Sequence, residues 1–496
     1  MIFSNPLLGT ITILISIICY NSAYRFFKQN KYAEAMGCIV AAGFLLRLFT
    51  SFDFFLNPWD ERYHALAAKH LIEHPLIPTL YEHPLFNFDY TSWTNNYIWV
   101  HKPPLTLWLM ALSLYTFGLS ELAVRIPSIL FSSIGIFLTF YIAKYFFDKR
   151  TALLSAFFYS INGLLIELVS GRQPTDHVDT FFIFFVELGV CFSIYYIHKR
   201  SLFSLSLIGI ATGFALLTKW LPALIVVGIL FLLLLEIKPW KKVLWDCCIV
   251  IVIAFAIAAP WQWYIFSTFP NEARQESYFN YLHIIKPLDG HDGTFFFHFA
   301  LMPRIFGELI YIPVGMFFYE LLKKKFSFKS VALTVWFIVP YLFFSFVATK
   351  MQGYVMMSAP AFFMILAWGF WNIYDRLQFP PYKKLKIALL ILLIALPIRY
   401  SIERIKPFQN IDRNPGWARE LRTMNSVIGD SHAVVFNMEH YIEAMFYTNC
   451  IAYPYTPTKE QVRHSLDMGY KVFIVDNVSL PQEIRIDSSV TILPKK

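Results

Sequence analysis

Two neighbouring carboxylates, Asp60 and Glu61, stand in the octapeptide Asn57-Pro58-Trp59-Asp60-Glu61-Arg62-Tyr63-His64, between long apolar stretches. A carboxylate at the edge of an apolar segment can serve as a general base, because partial desolvation raises its affinity for a proton. The pair also suits a helix start, since Asp favours the N-cap and an acidic first turn complements the helix dipole. On the octapeptide alone the helix-start reading is the stronger one.

Other polar residues collect in similar places. Asp176 and Asp179 lie in Ser170-Gly171-Arg172-Gln173-Pro174-Thr175-Asp176-His177-Val178-Asp179, ahead of a Phe-rich stretch. An ionised acid there needs a partner, which Arg172 or His177 can supply. Asp176 is the more loop-like of the two and the better functional candidate. Lys102 precedes Pro103-Pro104, Lys219 follows Leu217-Thr218, and Lys350 lies between Thr349 and Met351. Each alone reads as an ordinary anchor whose stem lies along apolar surface. Together the three lysines form a candidate cluster for a phosphate group. His64, His101, His177, His283, His291 and His298 show no compact zinc spacing. Ordinary loop histidines are the default for these, and a divalent metal bridging the loops is the alternative.

The elements that must position these groups are membrane spans. The chain of 496 residues is 57% hydrophobic and 15% charged, where a soluble protein carries roughly 25% charge. Apolar runs long enough to cross a hydrocarbon core of roughly 30 Å recur along it. The net charge of +9 is spread over short clusters between these runs, which follows the positive-inside rule and argues against nucleic acid as a partner. The clusters include Arg25 with Lys28 and Lys31, Lys149-Arg150, Lys199-Arg200, Lys238 with Lys241-Lys242, Lys323-Lys324-Lys325, and Lys383-Lys384. Placing them on the cytoplasmic side predicts twelve spans, near 7–23, 36–53, 124–147, 151–168, 178–197, 201–218, 220–237, 243–260, 304–321, 330–348, 354–372 and 386–399. Segments 61–73 and 104–118 are too mixed or too short to span, and read as interfacial helices. The N-terminus lacks a basic region before its apolar run and reads as a retained span.

The carboxylates and the three lysines then share the extracytoplasmic side. From about residue 400 the composition becomes that of a soluble domain. Strands are expected at 433–437 and 471–476, and helices at 440–447 and 458–468. The expected architecture is an all-α polytopic membrane protein, residues 1–400, with a small extracytoplasmic α/β domain at 401–496. Five of the six cysteines fall in apolar runs, so no disulfide framework is implied.

Asp60-Glu61, Lys102-Pro103-Pro104, Asp176, Leu217-Thr218-Lys219, Ala259-Pro260-Trp261, and Lys350 with Tyr354 follow one another in an order that resembles C-type (GT-C) membrane glycosyltransferases. The branch it resembles holds protein O-mannosyltransferases and the lipid A aminoarabinose transferase. The resemblance covers roughly residues 55–370. It implies inverting transfer of a sugar from a polyprenyl-phosphate donor to an acceptor hydroxyl on a lipid, glycan or protein. It implies Asp60 as base with Glu61 in support, and Asp176 as a second acid. Lys102, Lys219, Lys350 and Tyr354 are implied as holders of the lipid phosphate. There are departures. His101 stands where the aminoarabinose transferase has a metal-binding glutamate, so a metal site is in doubt and His101 with His283 are its first candidates. Trp220 replaces a usual glycine. Tyr63, a substrate-binding candidate, stands where that enzyme has an arginine.

The competing class is a transporter or flippase of lipid-linked saccharides. A transporter should show repeats and broken midplane helices. No fixed-period repeat is evident, and the charged residues gather at one face. The expected setting is a bacterial cell membrane, with the active site on the outer face and membrane lipids around the spans.

Overall fold

The computed structural model describes residues 4–323, 327–378, 382–428, 432–476 and 480–494. Lys324 and Lys325 of the predicted cytoplasmic clusters lie outside the described residues. Helices dominate the first four hundred residues: α1 (Asn5–Lys28), α2 (Tyr32–Thr50), α3 (Asp60–His70), α4 (Pro104–Phe117), α5 (Glu121–Phe146), α6 (Lys149–Ile161), α7 (Gly163–Val169), α8 (Asp176–Lys199) and α9 (Leu202–Lys219). They continue with α10 (Ile225–Leu235), α11 (Trp240–Thr268), α12 (Pro270–Ile285), α13 (Phe297–Phe306), α14 (Tyr311–Lys323), α15 (Phe328–Phe346), α16 (Ala359–Asp375) and α17 (Lys383–Ile405).

Among the described residues, nine helices are long and apolar enough to cross a membrane, and two bent pairs raise this to as many as eleven. Each of the twelve expected spans coincides with a helical segment, yet three are not straight spans. The segment at 151–168 breaks into α6 and α7 with a 53° bend. Asn162 sits at the break, where its side chain accepts from the Leu165 N–H at 3.1 Å and donates to the Ile305 carbonyl at 2.8 Å. The segment at 304–321 is bent by 111° at Gly307, whose φ of 94° is a conformation glycine adopts without penalty. The helix at Leu221–Leu235 is too short by itself to cross. The protein is an integral membrane protein by its apolar helices.

Both expected interfacial helices form. In α4, Pro104 occupies the first turn, where a missing N–H costs nothing, and Gly118 ends it with φ 84°. The other, α3, ends at His70, earlier than expected. The segment 261–303, which lies between the expected spans at 243–260 and 304–321, is largely helical: α11 runs on to Thr268 and α12 follows.

The C-terminal region carries a four-stranded parallel sheet in the order β2-β1-β3-β4, with β1 Ala433–Phe436, β2 Ile451–Ala452, β3 Lys471–Val475 and β4 Val490–Leu493. Two strands were expected; β2 has only two residues and β4 only four, too few to stand out as apolar runs. This sheet and the segment between α2 and α5 share one core, in which Leu66, Leu80, Tyr81 and Trp99 pack with Phe436, Ile442, Phe446 and Tyr453. Polar ties reinforce it: the Lys69 ammonium donates to the Met445 carbonyl at 2.7 Å and the Thr448 carbonyl at 2.5 Å. The Tyr441 hydroxyl donates to the Thr94 carbonyl at 3.1 Å. Helix α17 runs through the expected boundary at residue 400 and ends at Ile405.

Candidate active site

Helix α3 begins at Asp60, so the helix-start reading of the pair holds in the structure, and its first turn decides what each carboxylate meets. Glu61 is fully buried. Its oxygens accept from Arg125 Nε at 2.6 Å and Nη2 at 2.9 Å, from the Asn57 backbone N–H at 2.6 Å, and from Asn57 Nδ2 at 2.8 Å. His177 Nε2 lies 3.2 Å away. Burial alone would raise its pKa, but the charges and hydrogen bonds of Arg125 and His177 outweigh it and hold the carboxyl well below the usual range. A group so completely engaged is a tether for α3.

Asp60 faces a cavity of about 530 Å³. Its Oδ2 lies 3.6 Å from Lys102 Nζ and accepts from the Thr175 backbone N–H at 2.8 Å. That N–H is aimed by a turn in which Thr175 and Asp176 take φ of 69° and 24°, left-handed values uncommon outside glycine. The sequence led us to expect that desolvation would make Asp60 more basic. The structure reverses this: burial does push upward, but Lys102, His64, His101 and the Thr175 N–H overcome it and hold the carboxyl far below its ordinary value.

Lys102, Lys219 and Tyr354 line the same cavity. The Lys219 ammonium pairs with Asp179 and lies 4.6 Å from the centre of the Tyr354 ring. Lys219 is thus the partner of Asp179, in place of the expected Arg172 or His177. Arg172 pairs with Asp53 at 2.7 Å instead. Gly353 is needed here, since a Cβ would come within 2.4 Å of an Asp179 oxygen. His101 and His283 also face the cavity. Nδ1 of His101 is 3.0 Å from Glu276 Oε2, and its ring stacks on Trp93 with centroids 4.8 Å apart. Nδ1 of His283 is 3.0 Å from Thr349 Oγ1. Burial, with the nearby charges of Lys102 and His101, pushes His283 down to about 4. Among the described residues no three His, Cys, Asp or Glu side chains gather as a metal set, so the donors present do not fit a metal site built on His101 and His283.

Three expected residues are placed elsewhere. Asp176 is buried outside the cavity wall, with Oδ1 3.0 Å from His64 Nδ1 and accepting from the His177 N–H. Lys350 also leaves the wall: its ammonium donates to the carbonyls of Phe344 at 2.9 Å, Ser345 at 2.7 Å and Val347. It caps the end of α15, a role lysine fills well because the last carbonyls lack partners. Tyr63 packs into the core shared with the C-terminal sheet, 5.0 Å from Trp93.

Several neighbours were not singled out from sequence. Arg125 was legible in principle, because an arginine inside an expected span requires a partner. Glu276 lies on α12, in a segment of mixed polarity between expected spans that carries no helix signal of its own. Thr175 contributes only its backbone N–H, which residue type does not reveal. The cavity lining also includes the apolar side chains of Trp220, Leu221, Trp261, Phe343 and Phe344. The site therefore joins Lys102 and Lys219 and the carboxylates of Asp60, Glu276 and Asp289 to apolar side chains, and the lysines beside these side chains suit an anionic head on a hydrocarbon chain.

The chain is similar to known proteins in both sequence and fold. Residues 101–264 match the family model described as dolichyl-phosphate-mannose-protein mannosyltransferase. Over 268 residues the chain is 25% identical to the undecaprenyl phosphate-alpha-4-amino-4-deoxy-L-arabinose arabinosyl transferase of Pseudomonas paraeruginosa, which covers 51% of this chain and 47% of that protein. The chain thus spans about half the length of this curated relative. The fold is similar to the crystal structure of ArnT from Cupriavidus metallidurans bound to undecaprenyl phosphate, with TM-score 0.61, 15% identity and 87% of both chains covered. It is also similar to the archaeal oligosaccharyltransferase AglB from Archaeoglobus fulgidus in complex with an inhibitory peptide and a dolichol-phosphate, with TM-score 0.58, 14% identity, and 86% of this chain and 65% of that one covered. In residues 101–264 the chain is thus similar to the dolichyl-phosphate-mannose-protein mannosyltransferase family, and its overall fold is similar to those two membrane transferases.

Proposed function

We propose that this protein is a membrane glycosyltransferase that moves a sugar from a polyprenyl-phosphate donor to an acceptor hydroxyl on the extracytoplasmic side, with inversion. The observation that carries the proposal is Asp60 paired with Lys102 at 3.6 Å on the wall of a cavity that apolar side chains also line. The relatives support the donor class, since the Pseudomonas protein is named for an undecaprenyl phosphate sugar. The matched half of that relative leaves the acceptor open among lipid, glycan and protein.

In this reading the prenyl chain lies along Trp220, Trp261 and Phe344, and its phosphate meets Lys102 and Lys219. The acceptor oxygen attacks the anomeric carbon from the face opposite the phosphate. Its proton passes to Asp60, and the carbon–oxygen bond to phosphate breaks with the electron pair leaving on the phosphate. Each task needs what the site holds: a proton acceptor and cations where charge grows. The depressed basicity of Asp60 fits a base restrained until the donor arrives. Once Lys102 turns its charge to the phosphate, the carboxylate loses part of the attraction that disfavours protonation. Residues 1–400 form the transferase domain in this reading, and 401–496 an outer domain braced against the loop that carries Asp60.

The test uses membranes containing the full chain, with an undecaprenyl-phosphate-linked sugar and envelope extract as acceptor. Asp60→Asn should abolish transfer while the protein keeps its thermal unfolding midpoint. Turnover near wild type in that variant would remove Asp60 as the base.

A further inference from the structure

A second cavity, lined by none of the residues around Asp60, plays no part in the transfer reaction. It is a groove of about 1000 Å³ between α2 and α5, open to the surroundings of the bundle. On α2 it is lined from Tyr32 through Met36 and Val40 to Phe44, and on α5 from Leu130 through Phe137 to Lys144. These positions recur every three or four residues, so each helix gives one continuous stripe. Twelve residues from Tyr32 to Phe44 rise roughly 18 Å at about 1.5 Å each. That matches one leaflet of a core roughly 30 Å thick, and it falls short of a full crossing.

The walls are apolar, and the floor at Gly37 is open, with no atom within 4 Å of where a Cβ would stand. One end is basic. Lys144 and Lys149 line it, and the Lys149 ammonium rests 5.5 Å from the centre of the Tyr32 ring. Neither lysine has an acidic partner among the described residues. The nearest acid on α6's side, Asp148, is engaged with Arg150, which also pairs with Asp375 at 2.5 Å. Glu34 is exposed in the first turn of α2 and does not line the groove. Lys31 adds further positive charge at this end.

We propose that this groove binds one anionic glycerophospholipid of the cytoplasmic leaflet, its acyl chain along α2 and α5 and its phosphate between Lys144 and Lys149. Chain length and charge complementarity together select that occupant. A neutral acyl chain would leave two unpaired ammoniums at the rim, and a soluble anion would leave the apolar stripe empty. The assignment does not depend on the transfer chemistry, because none of the residues around Asp60 lines the groove.

The full-length protein is placed in nanodiscs of phosphatidylglycerol and phosphatidylethanolamine in equal amounts, then released, and its retained lipid is identified by native mass spectrometry. Wild type should retain phosphatidylglycerol preferentially. Lys144→Gln and Lys149→Gln should each lower that preference on the order of fivefold. Gly37→Leu, which fills open space, should lower retention of both lipids while the unfolding midpoint holds. Unchanged preference in the Lys144→Gln/Lys149→Gln double variant would overturn the proposal, as would wild-type retention in Gly37→Leu or equal retention of both lipids by wild type.

Discussion

Replacing Glu61 with Leu would leave the Arg125 guanidinium fully buried without its counter-ion. The carbonyls of Ser51, Asp53 and Phe55 would still accept from it at 2.9, 2.5 and 2.7 Å, but none carries charge. Breaking one side of a buried pair costs about 3–5 kcal/mol, because the surviving charge cannot return to water. Arg125→Met is expected to fall in the same range, since it strands the Glu61 carboxylate with Asn57 and His177. The double variant Glu61→Leu/Arg125→Met removes both charges and should cost less than either single change, so the two effects are strongly non-additive. Gly171→Ala strikes the same group from outside: its φ is 73°, and a Cβ would stand 2.4 Å from Glu61 Cδ. The assay is thermal unfolding of purified protein in one detergent, followed by tryptophan fluorescence for all four variants. Single variants that melt with wild type, or a double variant that melts at the sum of the two losses, would refute the tether.

Lys102→Ala should raise the KM for the lipid donor roughly tenfold to a hundredfold, as expected for one charge-assisted hydrogen bond, with a smaller change for the acceptor. Equal changes for both substrates would count against a phosphate role. The acid limb of kcat should lie at higher pH than that of kcat/KM, because the donor draws Lys102 away from Asp60; coincident limbs would remove that coupling. Stability should also respond to acid. Asp60 and Glu61 have folded-state pKa values below their unfolded ones, so their contribution is complete above about pH 4–5 and is lost as pH falls further. Melting midpoints that stay level down to pH 3 would contradict this. In a background without native cysteines, Tyr90→Cys should label from the outer side and Lys241→Cys should be protected; the reverse pattern would invert the topology.

Charge clusters and apolar length were enough to place the helices in sequence, because a hydrocarbon core imposes both constraints along the chain. The break at Asn162 and the bend at Gly307 were not legible, since both depend on contacts made by distant segments. For the site, Asp60, Lys102, Lys219 and Tyr354 all come to one cavity wall, as the ordered motifs led us to expect. Lys350 and Asp176 do not, and the reason is direction. A lysine one residue from an outer turn can reach outward or fold back onto the carbonyls of its own helix, and residue type cannot distinguish the two. Asp176 turns away because the left-handed step at Thr175 offers a backbone N–H to Asp60 while directing the Asp176 side chain to His64. Glu276 and His283 reach the cavity only because their segment is helical, which its mixed polarity concealed.

The core shared by the outer loop and the C-terminal sheet bears on biosynthesis. Lys69 must wait for a carbonyl that emerges 376 residues later. At about 5–20 residues per second that delay is roughly 20 to 75 s. Throughout it, Leu66, Leu80 and Tyr81 lack the C-terminal partners that will cover them. In the proposed topology the nascent loop is a natural client for an extracytoplasmic chaperone, and a chain cut short before residue 430 would have its spans inserted and the loop that carries Asp60 unbraced.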